Sequence, residues 1–117
     1  MTFLLQIPSD PKQTWTHQPI STGIQSRKSP PFGPQGAPGL FAWGDLDGDG
    51  RIDLVVSGDG DPNIYWLRQT AVGSFSTQVV AQNLPQAGVA VADLDGNGTA
   101  EVVISSYEAN KLIVLGR

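Results

Sequence analysis

Asp45-Leu46-Asp47-Gly48-Asp49-Gly50-Arg51-Ile52-Asp53 places carboxylates at its first, third, fifth and ninth positions and glycines at its fourth and sixth. Carboxylates at alternate positions, with glycines that let the backbone turn inward, suit a hard cation with oxygen ligands. Ca2+ is favoured over Mg2+, because a near-complete cage of protein oxygens fits the larger ion better. Apolar runs flank the loop, Leu40 to Trp43 before it and Leu54-Val55-Val56 after it. The stretch therefore predicts a β-hairpin whose turn holds a metal.

The pattern returns 48 residues later, where residues 39–59 align with 87–107 without a gap. Ala42, Asp45, Leu46, Asp47, Gly48, Gly50, Val55 and Ser57 recur as Ala90, Asp93, Leu94, Asp95, Gly96, Gly98, Val103 and Ser105. A repeat of this length matches one four-stranded β-propeller blade. Within it, strands are placed coarsely at Leu40 to Gly44, Ile52 to Ser57, Asn63 to Arg68 and Thr77 to Gln82. The second repeat supplies Gly88 to Ala92, Ala100 to Ser105 and Lys111 to Leu115. Trp43, on an innermost strand and aligned with Val91, is expected in the core.

Upstream, Thr2 to Ile7 and Thr14 to Ile20 read as two strands around the turn Ser9-Asp10-Pro11. Phe3-Leu4-Leu5 followed by Trp15 parallels Tyr65-Trp66-Leu67 followed by Phe75. Residues 1–25 thus read as the outer strands of a partial blade. Residues 26–38, with four prolines, read as a loop or linker, 39–86 as a complete blade, and 87–117 as a second blade lacking its outermost strand. The expected fold is all-β, built of four-stranded antiparallel blades, with too few blades in one chain to close a ring. Blade edges left unpaired at both ends predict head-to-tail self-association into a ring or a filament.

Composition agrees and narrows the functional classes. The 117 residues include 14 glycines and 9 prolines, and no long stretch shows helical periodicity. The absence of cysteine excludes disulfides and thiolate zinc sites. Seven of the 11 acidic residues lie in the two loops, and two divalent cations would bring the net charge of −4 to zero. Arg27 and Lys28 are the only basic pair, which argues against nucleic acid. No apolar run approaches the ~18 residues of a membrane span, and Met1 to Pro8 lacks the features of a signal peptide. The chain is expected to be either processed or an internal fragment.

Catalytic machinery is not legible. His17 is the sole histidine, no serine stands in a G-x-S-x-G elbow, and the clustered acids are better explained as metal ligands than as an acid/base pair. The reading is a non-enzyme. Trp15, Trp43, Tyr65 and Trp66 offer amphipathic surface to a sugar or a protein. Tyr65 and Trp66, being adjacent, must face opposite sides of their strand.

Phe41 to Val56 and Val89 to Ile104 resemble the FG-GAP (VCBS-type) repeat, the blade of integrin alpha-subunit propellers. The resemblance is clear over residues 39–117 and weak over 1–25. It implies Ca2+ bound through D-x-D-x-D-G-x-x-D on the hairpin between the first two strands of each blade. Carried over, the first site would use Asp45, Asp47, Asp49 and Asp53 with the Arg51 carbonyl. The second would use Asp93, Asp95, Asn97 and Glu101 with the Thr99 carbonyl. Asn97 loses a charge and Glu101 is one methylene longer than the usual Asp, so the second site is expected to bind more weakly. An EF-hand is excluded, since its bidentate Glu at loop position 12 is replaced by Val56 and Ile104. The resemblance also implies an extracellular, Ca2+-stabilised structural or interaction module. The alternatives are a carbohydrate-binding lectin-like propeller and the non-catalytic part of a secreted polysaccharide-active enzyme.

Overall fold

The structure, a computed structural model, describes residues 2–24, 28–29, 33–34, 40–58, 61–84 and 87–116. Among these there are strands but no helix: β1 (Thr2–Gln6), β2 (Thr16–Ser21), β3 (Lys28–Ser29), β4 (Gly33–Pro34), β5 (Phe41–Gly44), β6 (Asp53–Ser57), β7 (Ile64–Ala71), β8 (Ser74–Ala81), β9 (Ala87–Ala92), β10 (Glu101–Ser106) and β11 (Lys111–Leu115). All pairings are antiparallel. The sheets run β1-β2, β3-β4, β5-β6-β7-β8 and β11-β10-β9, and none closes into a barrel. The chain is all-β, with the strand order of partial propeller blades. Most of the Pro/Gly-rich stretch 26–38 lies outside the described residues; its described part is the short β3-β4 pair.

The two repeats share one register. Phe41 faces Val56 and Trp43 faces Leu54 in the first sheet, while Val89 faces Ile104 and Val91 faces Val102 in the second. The correspondence extends outward, with Tyr65 opposite Val56 and Ile113 opposite Ile104. Because side chains alternate between faces, this register sends Val55 and Trp66 to one side of the first sheet and Leu54 and Leu67 to the other.

The core lies between the two sheets. Leu46, Val55, Ile64, Leu84, Ala87, Val102 and Ile104 form one buried cluster, with Trp66, Val80, Val89 and Val91 packed against it. Val55, Ile64 and Ile104 are fully excluded from solvent. Gly44 permits the close approach of the innermost strands, since a Cβ there would stand 2.6 Å from Val91 Cγ1. The β1-β2 hairpin meets the far end of the first sheet, where β2 packs beside β8 and the Gln18 side-chain amide donates to the Gly73 carbonyl at 2.8 Å.

Two expectations change. The third and fourth strands of the first blade run on to Ala71 and from Ser74, because the ladder continues through Gln69–Phe75 and Ala71–Ser74 to a tight turn at Val72-Gly73, with Gly73 at φ 75°. Trp43, expected in the core, is 62 % exposed, and Phe41 on the same face is 67 % exposed. Their repeat counterparts Val91 and Val89 are covered because the first sheet lies over them. Among the described residues, nothing lies correspondingly over the inner half of the first sheet.

Candidate metal-binding loops

Each loop closes around its first carboxylate. Asp45 Oδ1 accepts from the Gly48 and Asp49 amides at 2.8 and 3.1 Å, and Oδ2 accepts from the Gly50 amide at 2.8 Å. Asp93 repeats this with Gly96 and Asn97 at 2.8 and 3.1 Å and Gly98 at 2.9 Å. The inward N–H groups require left-handed backbone, and Gly48, Gly50, Gly96 and Gly98 supply it at φ 76°, 82°, 74° and 88°.

The ninth-position acids brace the loop base. Asp53, fully buried at the start of β6, accepts from Leu46 N at 3.3 Å and from Gln69 N on β7 at 2.8 Å. Glu101, buried at the start of β10, accepts from Leu94 N at 2.7 Å. The longer Glu still reaches the amide that Asp53 reaches in the first loop.

Oxygen atoms of Asp45, Asp47 and Asp49 lie within 4.8 Å of one another, as do those of Asp93, Asp95 and Glu101. Each set could hold a metal ion. In the first loop Asp53 stands outside this group, its oxygens directed to backbone amides. In the second, Asn97 Nδ2 donates to Asp95 Oδ2 at 3.0 Å, and Asn97 Oδ1 accepts from Thr99 N at 2.8 Å. The donors are all oxygens, which is the chemistry of a hard cation.

The loops differ in how their charge is met. Arg68, on β7, pairs through Nε with Asp47 Oδ2 at 2.5 Å and approaches Asp49 Oδ2 at 3.9 Å. Arg51 pairs with Asp49 and also donates from Nε to the Gln69 carbonyl at 2.8 Å. Burial pushes the Asp47 carboxyl up, but the Arg68 hydrogen bond and charge, with hydrogen bonds from Asp49, outweigh it and hold Asp47 below the usual carboxylate range. Arg68 was not legible as a site residue, because it lies 21 positions from Asp47 and only the β6-β7 pairing brings it back. The loops also touch: Ala100 N donates to the Asp45 carbonyl at 3.3 Å.

The remaining sequence candidates fall elsewhere. His17 is exposed on β2. Trp15, 39 % exposed, donates its indole N–H to the Pro11 carbonyl. Tyr65 and Trp66 take opposite faces, as the strand period demands; Trp66 packs between the sheets, and Tyr65 donates to Asp61 Oδ2 at 2.8 Å. Burial pushes the Tyr65 hydroxyl up, the Asn63 amide opposes this, and Asp61 adds to the rise.

No curated protein and no solved structure matches the chain. A family profile described as an FG-GAP-like repeat matches residues 45–104, which span both loops and all of the first sheet beyond β5. The shared register, the paired oxygen-lined loops and this match, which covers more than half of the residues, have one reading: the chain belongs to the FG-GAP-like repeat family.

Proposed function

We propose that the chain is a Ca2+-stabilised extracellular module without catalytic activity, which associates with copies of itself through open strand edges. The observation that carries the reading is the sheet of the second repeat. Among the described residues β11 pairs with β10 alone, and its Leu112 and Val114 are exposed. An unpaired apolar edge of this kind is a template for another strand. Lys111–Leu115 would add β1, or the Thr14 to Ile20 run, of a neighbouring copy and extend its own blade. FG-GAP-like repeats are generally non-catalytic, and the clustered acids Asp45, Asp47, Asp49, Asp93, Asp95 and Glu101 have a sufficient role as cation ligands.

Ca2+ would be held by Asp45, Asp47 and Asp49 with the Arg51 carbonyl, and by Asp93, Asp95, Asn97 and Glu101 with the Thr99 carbonyl. Asp53 supports the first site through the backbone. The ion would supply positive charge to crowded carboxylates; the loops themselves are already shaped by backbone amides. At a hundredfold excess over Kd, each filled loop adds about 2.7 kcal/mol to stability. Thermal melting and light scattering with Ca2+ and with EGTA test both halves. A melting temperature unchanged by EGTA refutes the structural metal. A monodisperse monomer at every concentration refutes self-association.

A further inference from the structure

We infer that the inner half of the first sheet, presenting Phe41, Trp43, Leu54 and Val56, is the seat for the second sheet of another copy of this chain. The inference rests on the self-association proposed above and specifies a face of the sheet in addition to the edge.

The internal repeat supplies the template. Shifted by 48 residues, Phe41, Trp43, Leu54 and Val56 become Val89, Val91, Val102 and Ile104. Those four sit in or against the buried cluster, covered by the Val55 and Trp66 side of the first sheet. The same positions one repeat earlier are 67 % exposed at Phe41 and 62 % at Trp43. An identical register therefore presents a blade-covered surface in one repeat and an uncovered one in the other.

The surface that would cover it is also on the molecule. The counterparts of Ala42, Val55 and Trp66 in the second sheet are Ala90, Val103 and Val114, which share one cross-strand row. Ala90 and Val114 are exposed, and Val103 is half-buried. Side-chain volumes fit across the two junctions. Within the chain, Val91 from one side meets a surface that carries Trp66 on the other. Between copies, Trp43 stands in the place of Val91 and Val114 in the place of Trp66. The large indole changes sides while the combined volume is conserved, the kind of exchange packed interfaces tolerate best.

A different patch on each partner makes the contact heterologous, so it closes into a ring if the rotation permits and otherwise propagates. It also makes the two halves separable. Trp43→Asp spoils the receiving face and leaves the second sheet intact; Val114→Asp does the reverse. Both side chains are mostly exposed, so each variant should melt within a few degrees of the unmodified chain.

The test is sedimentation in Ca2+ of the unmodified chain, each variant, and their equimolar mixture. The unmodified chain should assemble, and each variant alone should remain at one chain across a hundredfold concentration range. The mixture should give particles of two chains and no larger, because the one good face of each variant is consumed. Assembly of Trp43→Asp to the unmodified mass overturns the face and leaves self-association standing. An unmodified chain that stays monomeric overturns both. A mixture that stays monomeric overturns the heterologous geometry.

Discussion

Asp53 separates two roles that one motif position can serve. The resemblance assigns it a place among the cation ligands, whereas the structure commits its oxygens to Leu46 N and Gln69 N. Replacing it with alanine in metal-free buffer leaves one buried and one half-buried donor without an acceptor. The Gln69 bond at 2.8 Å is short and goes to a charged group, and a bond of that class is worth about 1.5–3 kcal/mol. The Leu46 bond at 3.3 Å is long and adds about 1 kcal/mol. Removing a buried carboxylate near other acids returns part of this through relief of desolvation and repulsion. The expected net loss is about 2–4 kcal/mol, or about 8–16 °C in melting temperature for a domain of this size. Asp53→Asn, which retains one oxygen for Gln69, should lose about half as much. Thermal and urea denaturation in EGTA read these differences with no metal to confuse them. If Asp53→Ala lies within about 0.5 kcal/mol of the unmodified chain in EGTA and is destabilised only in Ca2+, Asp53 is a ligand and the bracing role is wrong.

Arg68→Met should tighten cation binding in the first loop by about two- to fivefold, because a guanidinium that is 40 % exposed contributes at most about 1 kcal/mol to its ion pair. Calorimetric titration that shows weaker or unchanged binding would count against competition between Arg68 and the ion. The raised Tyr65 hydroxyl means that its contribution is complete below the unfolded value of about 10 and fades as pH climbs toward the folded value. Tyr65→Phe should therefore flatten the alkaline fall of urea-derived stability; an identical slope in both proteins contradicts the assignment. Ile104→Ala, at a position with no exposed surface, should cost about 2–5 kcal/mol by loss of burial and the cavity left behind. A loss below 1 kcal/mol would mean that the inter-sheet cluster is not the core.

The sheets were legible because apolar runs bracket each loop and recur 48 residues later, although β6 buries Asp53, Val55 and Ser57 and leaves Leu54 and Val56 half-buried, the reverse of what polarity alone suggests. The loops were legible because their acidic residues, glycines and flanking strands are all local. Gly73 gave a signal for the β7-β8 turn, but polar Gln69, Thr70, Ser74 and Ser76 disguised the strand ends as loop. Arg68 was hidden for a different reason: its partner is a neighbour only after β6 and β7 have paired. Trp43 misled because its alignment with Val91 identifies a face that is covered in one repeat, and cannot state whether the chain itself supplies the cover in the other.

The hydrogen bond from Ala100 N to the Asp45 carbonyl has a practical consequence. That amide belongs by sequence to the second loop, yet its acceptor is the first residue of the other. Its hydrogen-exchange rate is therefore set by the order of a loop 55 positions away. A single resonance, followed during a cation titration of a chain whose second loop has been disabled, reports when the first loop stops opening.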